Sequence, residues 1–325
     1  MTIVKKKSIP KSLLGIGLRK KMESCSMSSV IIDTDPGTDD AIALMMAFQS
    51  AALNVIGITT VGGNARLTET TKNTLSLMEY INRPDVQVHM GNSDPIDGKY
   101  THAYNYHGEG GLTVQLPEPS MKPTSGDAVD FIVNKTLECP ELVDIIALGP
   151  LTNIALALNK NPALNQSIGQ IVVMGGAISV LGNITTESEF NIYNDPKAAN
   201  IVFSSGIPIK LVSLDVCNLV YLEAKDLRTL GDSKAASLSK QLLENWFKYM
   251  PSRKKYSLCD PLAIICHTTS ETLRYRSAKV EVDERVAESL GKTTAHFGEG
   301  PIQVAVDVNQ KDATDMVIEI LNNHC

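Results

Sequence analysis

From Val30 onward the chain alternates short runs of Val and Ile with longer stretches of helical period, and this alternation constrains the fold more than any other feature. Expected strands are Val30 to Ile32, Val55 to Thr60, Val86 to Met90, Asp144 to Leu148, Gln170 to Met174 and Pro208 to Ser213. Between them, Ala41 to Gln49, Leu67 to Ile81, Ala128 to Leu137, Thr152 to Leu158 and Pro196 to Phe203 read as helices. Strands and helices repeating in this way build an α/β fold, a mostly parallel, Rossmann-like sheet flanked by helices. From about Leu222 to His267 the pattern turns helical, with Trp246 and Phe247 on an apolar face, and a lid-like region near the C-terminal third is expected. Strand character returns at Ala278 to Val282 and Ile302 to Val308. With 325 residues, 43% of them hydrophobic, the chain can bury the core of one large α/β domain or two ordinary ones, and since no linker forces a boundary, residues 30–325 are expected to form a single domain.

In such sheets ligands bind outside the carboxyl ends of the strands. The first strand ends in "VIIDTDPGTDDAIA", which sets Asp33, Asp35, Asp39 and Asp40 within eight residues. A solvated acidic helix start accounts for Asp39 or Asp40, because the positive end of a helix favours carboxylates there. It does not account for Asp33 and Asp35, which continue an apolar strand and lead through Pro36 and Gly37 into a tight turn. Like charges this close raise one another's pKa unless a cation compensates, and a donor set made only of oxygen suits Ca²⁺ or Mg²⁺.

The later strand ends carry "ITTVGGN", "IIALGPLTNIA", "VVMGGA" and "GNITTESEFNIYNDP". Taken singly, Asn64 is a turn residue, Thr152 an N-cap and Glu189 an ordinary glutamate. Taken together, these loops offer glycines for close backbone approach, with amides and carboxylates and no positive charge. That excludes the usual phosphate cradle of basic residues and glycine-rich helix starts, and it suits hydroxyl groups, which need both donors and acceptors. The ligand expected is a sugar beside a cation.

A net charge of -6 gives no general attraction for nucleic acid, and no run approaches the eighteen or so apolar residues of a membrane span. Six cysteines without CxxC spacing fit a reducing compartment, so the expected location is cytoplasmic. Residues 1–29 are basic, with Lys5, Lys6, Lys7, Lys11, Arg19, Lys20 and Lys21 against Glu23, and read as a dispensable extension or, alternatively, an organelle leader.

Over roughly Val30 to Asp307 the sequence resembles the nucleoside hydrolases, the inosine-uridine-preferring group of nucleoside N-ribohydrolases. The acidic motif, the Asn of the "TTVGGN" loop, "GPLTNIA", "MGGA", and "GN" followed by "EFNIYNDPKAA" stand in the family's order. The resemblance implies Ca²⁺-dependent hydrolysis of the N-glycosidic bond of ribonucleosides such as inosine or uridine, in purine or pyrimidine salvage, by a homodimer or homotetramer. It implies Asp35, Asp40, Asp260 and the Leu148 carbonyl as calcium ligands, with Asp33 in support and Asp35 as the base that takes a proton from water. Asp39, Asn64, Asn183, Glu189 and Asn191 would hold the ribose, with Met174 beneath it.

Where many relatives read His-Asp, this chain reads Cys259-Asp260, so Cys259 fills the slot of a histidine credited with protonating the leaving base. His107 in "NYHGEGG" matches a second family histidine near the base. Asp35, Cys259 and His107 are thus the catalytic candidates, with Cys259 expected to shape the base pocket more than to act as an obligatory acid. Tyr256, with Lys254 and Lys255, falls in a segment that forms a flap over the base in relatives. The departure at Cys259 keeps a catalytically impaired nucleoside-binding homologue as an alternative. Another metal-dependent hydrolase, such as a phosphatase with an Asp nucleophile, is the other.

Overall fold

The computed structural model describes residues 27–269, 271–285 and 288–323, so most of the expected extension over residues 1–29 lies outside the described residues. The first half of the chain forms β1 (Ser28–Thr34), α1 (Thr38–Gln49), β2 (Leu53–Thr60), α2 (Leu67–Tyr80), β3 (Val88–Met90), the single turn α3 (Tyr104–His107), α4 (Ala128–Glu138), β4 (Val143–Ala147) and α5 (Thr152–Lys160). There follow β5 (Ile168–Met174), α6 (Phe190–Asn194), α7 (Pro196–Phe203), β6 (Ile209–Val212), α8 (Leu214–Cys217), β7 (Tyr221–Glu223) and α9 (Lys234–Tyr249). The chain ends with β8 (Lys255–Ser257), α10 (Cys259–Thr268), β9 (Leu273–Val282), β10 (Thr293–Phe297), β11 (Ile302–Val308) and α11 (Gln310–Asn322).

Nine strands make one sheet in the order β10-β9-β11-β6-β5-β4-β1-β2-β3. β1 to β6 and β11 run parallel, and only β9 is antiparallel to its neighbours β10 and β11. β1 to β3 build outward to one side of β1, and β4 to β6 to the other. The order therefore reverses between β1 and β4, and such a switch point opens a crevice at the carboxyl ends of the two strands. Asp33 lies opposite Ala147 of β4 and Thr59 of β2, so the acidic turn is carried straight into that crevice.

Period-two geometry explains why these strands read as unbroken apolar runs. Ile31 and Ile145 enter the core under α4, α5 and α7, whereas Val30, Ile32 and Ile146 enter the core under α1, α9, α10 and α11. All are fully buried, and each aliphatic side chain so placed contributes about 1.5–3 kcal/mol.

The stretch from Leu222 to His267, expected to be helical, contains a break. β7 and β8 pair antiparallel, Tyr221 opposite Ser257, as a separate two-stranded ribbon. Strands of three residues are too short to display a period. α9 packs against α1 and α11 with Trp246 wholly buried, as a member of the helical layer, and it is the segment after it that reaches the crevice. β10 and α11 were not anticipated. No helix among the described residues is long and apolar enough to cross a membrane.

Candidate active site

A cavity of about 590 Å³ opens at the switch point, and Asp39, Asn64, His107, Leu148, Met174, Asn183, Glu189, Asn191, Cys259 and Asp260 all line it. Of the expected site residues, Asp35, Asp40 and Tyr256 are absent from its lining, and all three are fully buried.

Asp35 is held between two glycine backbones. A Cβ on Gly63 would lie 2.0 Å from its Oδ2, and one on Gly149 would lie 2.6 Å from its Oδ1, so neither loop tolerates a side chain there. The Asn64 N–H donates to Oδ2 at 2.6 Å, while Oδ1, fully buried, has no hydrogen-bond partner. Asp33 accepts from Thr59 Oγ1 at 2.5 Å and Asn153 Nδ2 at 2.8 Å, tying β1 to β2 and α5 from below, which is a supporting position.

Asp40 is the third residue of α1 and closes its first turn by accepting the Gly37 N–H at 2.9 Å. It also accepts from Thr34 Oγ1 at 2.6 Å and Asn64 Nδ2 at 3.1 Å. Oxygens of Asp39, Asp40 and Asp260 come within 4.8 Å of one another. The trio contains two of the expected metal ligands and adds Asp39, which had been set against the ribose. Burial and the charges of Asp40, Asp39 and Asp33 push Asp35 well above the usual carboxylate range. Burial and the neighbouring Asp40 push Asp39 up to about 7, and Asp260 rises for the same reasons. Arg253 is the one Lys or Arg among the described residues that line the cavity. An oxygen-only donor set with an orphaned buried oxygen and so little compensating charge fits a divalent cation.

On the other wall, Glu189 caps α6, accepting the N–H groups of Asn191 at 2.9 Å and of Gly176 and Ile192 at 3.0 Å. Its carboxylate thus shapes the loop as well as facing the cavity. Asn191 donates to the Leu148 carbonyl at 2.7 Å, and Asn183 accepts the Phe190 N–H at 2.8 Å, leaving the other end of each amide for a ligand.

His107 accepts the Thr38 N–H at Nδ1 (3.0 Å), which places its hydrogen on Nε2, and burial pushes its pKa down to about 3. Cys259 opens α10 beside Cys217, and their hydrogen bond, burial and the nearby carboxylates push its thiol well up. Tyr256 is fully buried rather than on an exposed flap: Trp246 meets its ring edge-on at 4.7 Å and Tyr106 lies at 6.2 Å. Pairing of β8 with β7 turns it inward, while Lys254 and Lys255 stay exposed.

Sequence reasoning missed His102, Tyr106, Asn218 and Arg253, which also line the cavity. A second histidine in "YTHAYNYHGEGG" was the available signal. It also missed Asn194 and Asp195, which accept the Thr101 and Ile96 N–H groups of the segment leading to both histidines, Asp195 also accepting from Thr152 of α5.

A doubly wound sheet with a cavity lined by carboxylates and amides at its switch point is the architecture of an α/β protein that binds a ligand at the carboxyl ends of its strands. The family model described as inosine-uridine preferring nucleoside hydrolase matches residues 30–315. The chain is 38% identical over 304 residues to the pyrimidine-specific ribonucleoside hydrolase RihA of Salmonella paratyphi B, covering 90% of this chain and 97% of that one. It is 38% identical over 261 residues to uridine nucleosidase 1 of Arabidopsis thaliana, covering 78% of each. Among solved structures, a plant nucleoside hydrolase superposes with a TM-score of 0.87 at 32% identity, covering 91% of this chain and 99% of its own. The purine-preferring ribonucleoside hydrolase from Gardnerella vaginalis gives 0.85 at 29%, covering 91% and 98%. The chain belongs to the inosine-uridine preferring nucleoside hydrolase family and is an enzyme of that kind, a nucleoside hydrolase.

Proposed function

We propose that this protein hydrolyses the N-glycosidic bond of ribonucleosides to free base and ribose with Ca²⁺ as its cofactor, in nucleoside salvage. The observation that carries the reading is the carboxylate cluster of Asp39, Asp40 and Asp260 beside Asp35, buried at the switch point of the sheet. Asp35, Asp40, Asp260 and the Leu148 carbonyl would hold the ion, with Asp39 at the shared edge of ion and ribose. Bound there, Ca²⁺ supplies positive charge that orients a water molecule and favours its deprotonation.

The chain's own residues do the rest. Asp35 takes the water's proton at its free oxygen. Asn64, Asn183, Asn191 and Glu189 orient the ribose hydroxyls, with Met174 packing beneath the ring. Attack at the anomeric carbon passes through an oxocarbenium-like state, and the carboxylates around it favour the developing positive charge. The N-terminal 29 residues are dispensable in this reading, residues 30–325 form the single catalytic domain, and the enzyme assembles as a homodimer or homotetramer.

Release of ribose from uridine and inosine, with and without chelator, tests the reading. The pyrimidine and uridine names of the two curated relatives make uridine the first substrate to try. Ribose release that stops in chelator and returns with Ca²⁺ is expected. Nucleoside binding without turnover would leave the impaired homologue, and full activity after exhaustive chelation would remove the cation from the mechanism.

A further inference from the structure

We propose that His102 gives the departing nucleobase its proton. The inference rests on the nucleoside hydrolysis proposed above and answers which cavity group has a proton to give. When the bond from C1′ to the base nitrogen opens, its electron pair stays on that nitrogen, and a proton delivered there turns a poor leaving group into a neutral one.

The titratable groups lining the cavity, among the described residues, are Asp39, His102, Tyr106, His107, Glu189, Arg253, Cys259 and Asp260. Cys259 is buried, and its neighbour Cys217, whose Sγ lies 3.8 Å from the Val212 carbonyl, together with burial and the carboxylates of Asp39 and Glu189, pushes its thiol well above the ordinary range, so it holds its proton tightly. His107 is neutral because its Nδ1 accepts the Thr38 N–H; a second proton would break that bond. Tyr106 is half-buried, and burial with the neighbouring Asp39 and Cys259 raises its phenol far above the ordinary value, so it does not release its proton. Arg253 does not release a proton, Glu189 is committed to three backbone N–H groups, and Asp39 and Asp260 belong to the acidic cluster.

His102 has the opposite tautomer to His107. Its Nδ1 lies 2.8 Å from the Gly63 carbonyl, which fixes a hydrogen on Nδ1 and leaves Nε2 as the basic nitrogen. Packed against the ring are that carbonyl and the Tyr104 ring at 5.3 Å, whose hydroxyl donates to Glu69. The charged groups sharing the cavity are Asp39, Glu189, Asp260 and Arg253. In the step, protonated Nε2 passes its proton to the base nitrogen as the bond from C1′ breaks. The water oxygen bonds to C1′, its proton goes to Asp35, and the neutral imidazole takes a new proton from solvent.

The test compares wild type, His102→Ala and His102→Gln, all saturated with Ca²⁺, on uridine, inosine and p-nitrophenyl β-D-riboside, whose leaving group departs without a proton. Expected are losses in kcat on the order of 10² to 10⁴ on the nucleosides and less than about threefold on the p-nitrophenyl riboside. Gln can keep the hydrogen bond to Gly63 but cannot relay a proton, so it should do no better than Ala. Equal losses on all three substrates, or undiminished nucleoside turnover, would overturn the assignment while leaving nucleoside hydrolysis standing. A wild type that cleaves the p-nitrophenyl riboside and neither nucleoside would overturn both.

Discussion

In the proposed reaction Asp35 is the base, and its surroundings say how sensitive it is. Two glycines press on its carboxylate, one backbone N–H holds Oδ2, and Oδ1 is left open. Asn at this position keeps the shape and loses the base, so Asp35→Asn should lower kcat by roughly 10² to 10⁴ with little change in ribose affinity. Turnover within a few-fold of wild type would refute the role. Cys259 makes the contrasting case, because its neighbour Cys217, burial and the nearby carboxylates push its thiol well up and hold its proton. Cys259→Ala should cost less than about tenfold on both uridine and inosine, below what a true general acid contributes. A thousandfold loss on either, with calcium content unchanged, would make the thiol a proton donor. The four aspartates were legible because they neighbour one another along the chain. The pairing of Cys259 with Cys217, and the opposite tautomers of His102 and His107, were not, because each depends on a partner that only folding brings near.

At the scale of single elements, α10 connects the two ends of the sheet. Its first turn carries Cys259 and Asp260 into the cavity, and near its C-terminus His267 bonds Asp144 of β4 at 2.8 Å. Burial raises the pKa of Asp144, but hydrogen bonds from His267 and Gln170 outweigh it and hold the carboxyl below its ordinary value. A carboxylate so lowered contributes stability above its unfolded pKa and loses it as pH falls through the folded one. His267→Leu leaves Asp144 buried without its partner and should cost about 3 kcal/mol, the low end for a broken buried pair, because Gln170 still donates twice. Denaturant unfolding at pH 7 measures this, and a cost under about 0.5 kcal/mol, the size of a neutral surface change, would show the pair to be unimportant. The helix itself was legible only as part of an apolar stretch, and β7 and β8 were hidden inside that same stretch. Three-residue strands stabilised by each other and by burial of Tyr256 leave no periodic trace.

Across the whole molecule, the fold concentrates negative charge at one point and must offset it. The parallel sheet and its crossovers were readable from the alternation of Val and Ile runs with helices, and with them the end of the sheet where a ligand binds. The electrostatic cost became visible only when Asp260, more than two hundred residues away, joined Asp39 and Asp40. Burial pushes Asp33 up to about 7, and burial with Asp40 does the same to Asp39, so without a cation both bind protons more tightly folded than unfolded. A raised pKa gives stability that is complete below the unfolded value of 3.8 and is lost as pH rises through about 7. The metal-free protein should therefore become less stable between pH 5 and pH 8. In the proposed reading Ca²⁺ would remove the penalty by binding the ionised cluster, and at a thousand times its dissociation constant it would add about 4 kcal/mol. Melting temperatures in chelator should fall by several degrees from pH 5 to pH 8, and Ca²⁺ should raise them more at pH 8 than at pH 5. A metal-free protein equally stable at both values, or a calcium shift larger at pH 5, would mean that the carboxylates do not carry the charge that this fold gathers around its cavity.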